Sequence, residues 1–572
     1  MKFRLLFFVL LLSACDNSLT NPSVKTIDIW QKGAMVSAAN PHAVKAAILM
    51  LEKGGHAVDA TIAAHLVLGL VEPQSSGIGG GAFLLVFDRL ENKLSFHDGR
   101  EMAPAGVTRD MFMKGSEVMG FMEAWQSGIS IGVPGVIALY KHAHDLHGKL
   151  PWEVLFQPAI KLAKEGFEVS PRLAGFLPRM KEISGLSKNP GVSEYFYPND
   201  KALKVGDLRV NTAYANTLTR VSLEGPKAFY EGDIAEAIVA AVQAEPHPGS
   251  LSLEDLVEYK VIDREVICGD FRQVDICTTS PPSSGGAQIM MAALYDHLSS
   301  AQSTQADKVA AFVDSQRLAY ADRDHYFGDP DEVTIPLNDL LNPKYLKHRA
   351  TERFAPDEKP IHGDPGEVLH QNSVANLWAA DTTDEVRGTS HLSIIDGEGN
   401  AVSMTATVEA PFGSTRWVGG FLLNNQMTDF AREVPADGRP VANAIAPHRR
   451  PRSSMSPTMV FDAQGDLLLV TGSPGGNSIP AYVAKTIIGV LDWGLDAQAA
   501  VDYTNIIARG EKVRVDITTQ EGKNIAADLK KRGYIVQERD GENSGLHIIR
   551  VTKDGLDGAA DKRREGIVMT LP

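Results

Sequence analysis

Basic residues are in deficit, cysteine is nearly absent, and no repeat or low-complexity tract interrupts the chain. The 56 lysines and arginines are outnumbered by 71 aspartates and glutamates, a formal charge of −15. Such an acidic field argues against nucleic acid as the main partner. It leaves open a small zwitterionic ligand, whose binding is set locally. Three cysteines in 572 residues leave room for one internal bridge at most. The unbroken apolar run Leu5 to Leu12 is too short for a bilayer, which takes about 20 residues. What is present is the composition of a globular protein, 44% hydrophobic and 22% charged, able to bury a large core.

The beginning of the chain is the most legible segment. Lys2 and Arg4 precede the short apolar run, which reads as an export signal. The run ends in Leu12-Ser13-Ala14-Cys15, similar to a bacterial lipobox. That similarity implies a signal peptide over 1–14, lipidation at Cys15 and a periplasmic protein anchored to a bacterial membrane. More than one acyl chain is needed for stable anchoring. Asp16 resembles an inner-membrane retention signal. The competing reading is an ordinary export signal in which Cys15 is incidental.

Cys268 and Cys277 flank a candidate hairpin turning at Arg272-Gln273. Counting outward from Phe271 opposite Val274 puts the two cysteines face to face as a non-hydrogen-bonded pair. A disulfide and two buried thiols both fit, since cross-strand geometry is restrictive.

Asn40-Pro41 signals the start of a helix over Ala43 to Glu52, closed by Gly54-Gly55. A second apolar helix is expected from about Val58 to Leu70, then a strand Ala82 to Phe87 paired with Leu94 to His97. The middle third, about 105–350, reads as mostly helical. Residues 355–388 are polar and acidic with Pro356, Pro360 and Pro365, the pattern of a mobile linker. Beyond it come paired strands ("SHLSIID" and "AVSMTAT", "TMVFD" and "LLLVTGS") and helices near Pro480 to Leu491 and Gln520 to Lys531. Paired strands with flanking helices point to layered α/β packing.

Where the linker meets the strand stands Arg387-Gly388-Thr389-Ser390. Threonine is a weak nucleophile, but an N-terminal threonine carries its own base, an α-amine of pKa near 8. Glycine before it removes bulk where a hydroxyl would attack the preceding carbonyl. The dipeptide alone is more simply a strand start, because short motifs are common. The surrounding blocks change that balance. "TSHLSIIDGEGNAVSMTATVEAPFGS", "GFLLNNQMTDF", "RPRSSMSPTMV" and "GSPGG" resemble, in order, the small subunit of γ-glutamyltranspeptidases. "AVDATIAAHLVLGLVEPQSSGIGGGAFLLVFD", "GREMAPA", "IGVPGV", "PPSSGG" and "ADRDHYFGDPD" resemble the large subunit, and "DKRREG" fits the C-terminus.

The resemblance implies a four-layer αββα sandwich of the N-terminal-nucleophile hydrolases. It implies self-cleavage between Gly388 and Thr389, giving a large subunit 15–388 and a small subunit 389–572. Thr389 would attack γ-glutamyl compounds such as glutathione, and water or an amine would take the acyl group. By the same resemblance Thr407 assists the nucleophile, and Gly475 and Gly476 supply oxyanion donors. Arg100, Ser453 and Ser454 hold the substrate carboxylate, and Gln426 and Asp429 accept from its ammonium. Glu409 stands where many relatives have asparagine and is expected to join those acceptors. The segment between Asp429 and Ser453 is shorter than in well-known bacterial relatives, where it forms a lid. No cofactor and no metal are implied. His144 and His147 lack a further ligand set at zinc spacing, and Gly79-Gly80-Gly81 precedes a strand where a dinucleotide loop would open a helix. The rival readings are a cephalosporin or glutaryl acylase of the same fold and a non-catalytic envelope lipoprotein.

Overall fold

The computed structural model describes residues 30–572 except 353, 380, 382, 386, 387, 434, 436 and 437. Cys15, Asp16 and the export signal therefore lie outside the described residues. Among those described, no helix is long and apolar enough to cross a membrane.

Two antiparallel sheets form the centre. One is seven-stranded, in the order Ile567–Leu571, Ala34–Ala38, Gly388–Ile395, Ala401–Glu409, Gly81–Asp88, Lys93–Gly99, Ile262–Arg264. The other is six-stranded, in the order Gly555–Ala560, His547–Thr552, Leu467–Gly472, Thr458–Asp462, Val274–Thr279, Val266–Phe271. Alternation along the strands builds two cores. Val36, Leu84, Leu392, Ile394 and Met404 face the helices Pro41–Glu52, Ala57–Val71 and Val136–His147. Met35, Phe83, Leu85 and Ile395 face the other way, onto Val460, Leu469 and Ile548 of the second sheet. Helices Gly285–Leu298, Gln305–Tyr326 and Ile479–Leu491 cover that sheet's far side. The result is the expected αββα sandwich. Its central strands are buried on both faces, and Gly388–Ile395 is buried along its whole length.

Local signals act where the sequence placed them. The Asn40 side chain accepts from the His42 amide and Pro41 opens the helix. Arg272 and Gln273 both have positive φ, 48° and 72°, as a two-residue hairpin turn requires. Phe271 pairs with Val274 and Cys268 with Cys277, and the two sulfurs are joined in a disulfide.

Within the expected linker, residues 355–364 are irregular and bonded to the helical layer: the Gly363 amide donates to Asp322 Oδ1 at 2.8 Å, and Arg317 donates to the carbonyls of Ala355 and Glu358 at 2.8 and 2.5 Å. Asp364 caps a short helix Pro365–Val368. Part of the segment's polar composition thus serves hydrogen bonds to the helical layer.

Candidate active site

The strands Gly388–Ile395 and Ala401–Glu409 are out of step where the nucleophile was expected. Gly388 faces Glu409 and Thr389 faces Thr407, so Val408 is an extra residue in a β-bulge. Bulges re-aim side chains and are common beside active sites. Here the bulge gathers two hydroxyls and one peptide bond. Thr389 Oγ1 donates to Thr407 Oγ1 at 3.3 Å, and Thr407 Oγ1 donates in turn to the Gly388 carbonyl oxygen. The Glu409 amide fixes Thr407 by donating to its hydroxyl at 2.8 Å. Glycine is obligatory at 388, since a Cβ there would lie 2.2 Å from the Glu409 carbonyl oxygen. Arg564 donates to the Thr389 carbonyl at 2.8 Å. The arrangement can polarise the Gly388 carbonyl and present a hydroxyl next to it.

Gly475 and Gly476 begin a helical run, a tight turn Gly476–Ser478 followed by Ile479–Leu491. Amides at such an N-terminus favour negative charge. Gly475 has φ +145°, and a Cβ would meet the Tyr482 ring at 2.5 Å. Gly545 lies against both Pro474 and Arg564, which ties this turn to the residue that holds Thr389. Gly475 also lines a cavity of about 780 Å³ with Glu385, Trp125, Phe176, Arg509 and Arg514.

The expected carboxylate and ammonium groups come together as well, in a closed arrangement. The turn Gln426–Asp429 carries both acceptors. Arg100 donates to Asp429 Oδ2 at 2.7 Å, and Gln426 Nε2 donates to the same oxygen at 2.5 Å. Asp429 Oδ1 has no hydrogen-bond partner among the described residues. Burial, reinforced by the Glu385 carboxylate, pushes Asp429 up to about 7 against the pull of Arg100. Glu409 has positive φ, 77°, and accepts from the Asn425 side chain, one residue before that turn. Ser453 and Ser454 are buried close by. Ser453 Oγ accepts from the Met455 amide at 3.2 Å, and Ser454 is engaged by a residue the sequence reading did not single out.

That residue is Glu385. Its Oε2 accepts from the Ser454 amide at 2.8 Å, and its Oε1 pairs with Arg323 at 2.5 Å. Arg323 also donates to Ser454 Oγ at 2.7 Å. Burial opposes the charge on Glu385, yet Arg323 and Arg452 hold its carboxyl below the usual range. A carboxylate from the segment just before Thr389 thus sits on Ser454, one of the two serines expected to take a substrate carboxylate. Arg323, Glu101 and Arg564 were missed too, although each lies inside a block that carries the resemblance. Glu101 Oε2 is 3.7 Å from Arg100, and burial pushes its carboxyl up to about 7. By contrast, His144 and His147 do not converge. His144 bonds the Leu150 carbonyl at 2.8 Å, while His147 stacks on His56.

A family model described as gamma-glutamyltranspeptidase matches residues 43–571. A glutathione hydrolase proenzyme of Bacillus subtilis (strain 168) is 37% identical over 96% of this chain and 93% of its own length. One of Escherichia coli (strain K12) is 35% identical over 93% of this chain and 90% of its own. Among solved structures, a cephalosporin acylase from Bacillus halodurans superposes with TM-score 0.81 at 25% identity, covering 98% of this chain and 99% of that one. A Helicobacter pylori γ-glutamyltranspeptidase chain does so with TM-score 0.52 at 29% identity, over 58% of this chain and 93% of its own.

Proposed function

This chain belongs to the γ-glutamyltranspeptidase family, and from that premise we propose that it is a self-processing γ-glutamyl hydrolase and transferase acting on glutathione and related γ-glutamyl compounds through Thr389. The observation that carries the reading is the hydroxyl relay from Thr389 through Thr407 to the Gly388 carbonyl.

Maturation begins when Thr389 Oγ1 attacks the Gly388 carbonyl carbon, passing its proton towards Thr407. The C–N bond to Thr389 breaks and the nitrogen takes a proton. Gly388 is then held as an ester on the Thr389 oxygen. Water cleaves that ester, leaving a Gly388 carboxylate and a free Thr389 amine. The product is a large subunit ending at 388 and a small one of 389–572.

In turnover the new amine accepts the hydroxyl proton as Thr389 attacks the γ-carbonyl of the substrate. Amides of Gly475 and Gly476 receive the oxyanion. The amine product leaves with that proton, and water or an acceptor amine releases the γ-glutamyl group. Arg100 with Ser453 and Ser454 binds the α-carboxylate, while Asp429, Gln426 and Glu409 take the α-ammonium. Two contacts must open first: Glu385 has to leave the Ser454 amide, and Arg100 must share its guanidinium between Asp429 and the substrate. In this reading the short segment after Asp429 admits water, so hydrolysis competes strongly with transfer. Product analysis with glutathione and a dipeptide acceptor checks this, and dominant transpeptidation at modest acceptor concentration would count against it. Lipidation at Cys15, periplasmic location and inner-membrane retention through Asp16 belong to the same proposal.

The deciding experiment is a denaturing gel of the purified protein. Wild type should give two bands and Thr389→Ala a single one near the full 61.8 kDa. An intact wild-type chain that still hydrolyses γ-glutamyl anilide would overturn the mechanism. The acylase reading draws on the close superposition with the B. halodurans enzyme. A glutaryl group has no amine for Asp429 and Gln426 to bind, so faster cleavage of glutaryl than γ-glutamyl anilide would favour it.

A further inference from the structure

Three elements far apart in sequence bring two imidazoles and a carboxylate to one point. The strand Lys93–Gly99 carries His97, and the edge strand Ile262–Arg264 carries Asp263 directly opposite it in register. His142 comes from the helix Val136–His147. His97 Nδ1 and His142 Nε2 lie 2.6 and 2.7 Å from the same oxygen, Asp263 Oδ1. We propose that His97, His142 and Asp263 form a binding site for one borderline divalent cation of the Zn²⁺ type.

Ser95 Oγ lies 3.2 Å from His97 Nε2 and donates to the Val86 carbonyl at 3.4 Å. Each imidazole nitrogen facing Asp263 Oδ1 either donates a proton to it or presents a lone pair. Two acceptors in contact repel unless a cation lies between them, either a proton or a metal ion. Two imidazole nitrogens with one carboxylate suit zinc and its neighbours, whereas Mg²⁺ and Ca²⁺ prefer all-oxygen shells. All three ligand atoms lie within 4.8 Å of one another, and small side-chain rotations would bring them to the ~2.0–2.2 Å bonds zinc makes. With Nδ1 on an ion, His97 Nε2–H would donate to Ser95 Oγ, 3.2 Å away, the kind of outer partner that metal-bound histidines usually have. The Asp263 side chain is 59% exposed and that of His142 31%, so an ion can enter and water can complete the shell.

A cation here would brace the strand that presents Arg100. Asp263 precedes Arg264, which holds Asp98 Oδ2 at 2.6 Å, and Asp98 Oδ1 accepts from the Arg100 amide at 2.8 Å. This consequence for Arg100 rests on the γ-glutamyl reading, whereas the binding itself does not.

The test is calorimetric titration of the tag-free, EDTA-treated protein with ZnCl2, with MgCl2 as control, alongside thermal melts. One zinc per chain and a raised Tm are expected, with no uptake of magnesium. His142→Ala should weaken binding at least tenfold, while His147→Ala, a neighbouring ring outside the set, should keep it. Should His142→Ala fail to fold by circular dichroism, Asp263→Asn removes an exposed ligand and should show the same loss. No saturable zinc uptake, or wild-type binding by the folded variants, would reduce the cluster to a proton-bridged network and end the proposal.

Discussion

A single hydroxyl, that of Thr407, makes two bonds: it accepts from Thr389 and donates to the carbonyl of Gly388, whose peptide bond is the one proposed for scission. Thr407→Val keeps the shape and removes both. Losing one donor of this kind typically slows a reaction by about 10²–10³-fold, so the two bands should appear that much more slowly in a time course after refolding. Processing at the wild-type rate would remove Thr407 from the mechanism. Asp429 offers a test in pH. Burial holds its carboxyl at about 7 in the folded precursor, against 3.8 for an ordinary aspartate. A carboxyl raised by folding contributes stability that is complete below its unfolded value and is lost as pH climbs through its folded value. The Thr389→Ala precursor should therefore lose stability between about pH 4 and 7, relative to the same protein carrying Asp429→Asn. Melting curves across that range check it, and parallel pH dependences would show that Asp429 is not shifted. Glu101, also raised to about 7, acts in the same direction and remains in both proteins.

At the level of strands and helices, pattern was a good guide wherever local chemistry decides. The Asn40-Pro41 start, the Arg272-Gln273 turn and the facing cysteines all follow from neighbouring residues, and each is in place. The hydrogen bonds of residues 355–364 were not foreseen, because proline and acidic residues look alike in a mobile linker and in a loop tied to buried arginines. The partners that distinguish the two, Arg317, Asp322 and Arg349, lie in other elements. Glu385 escaped notice for the same reason: nothing near it in sequence foretells Arg323 or the Ser454 amide. Thr389, Arg100, Asp429 and the glycine pair were found through block resemblance; their spacing alone would have left them as a strand start, surface charges and a turn. The disulfide holds an edge hairpin of the six-stranded sheet, closing a loop with sequence separation 9. By chain entropy a loop of this size is worth about 2–3 kcal/mol. Serine at both positions should lower the denaturant midpoint accordingly, and an unchanged midpoint would show that packing alone holds the hairpin.

Across the whole molecule, the proposed cut divides both sheets between two chains. In the seven-stranded sheet Ala34–Ala38, on the large-subunit side, lies between Ile567–Leu571 at the end of the chain and Gly388–Ile395, which starts at the cut itself. In the six-stranded sheet Val274–Thr279 pairs with Thr458–Asp462 across the same divide. Neither part has a complete core of its own. The processed protein should elute from gel filtration as one particle holding equal amounts of both fragments, and only denaturant should part them. Spontaneous separation in native buffer would contradict the interleaved sheets.

The bulge at Gly388 and Thr389 has an implication for how such a molecule is born. Its geometry depends on the strand from 401–409, and that strand is held between its neighbour Gly388–Ile395 and the distant Gly81–Asp88. A nascent or misfolded chain cannot assemble it, so backbone scission would serve as an internal certificate of correct folding, issued once and never revoked. Activity would then be withheld from every copy that fails to reach its native shape.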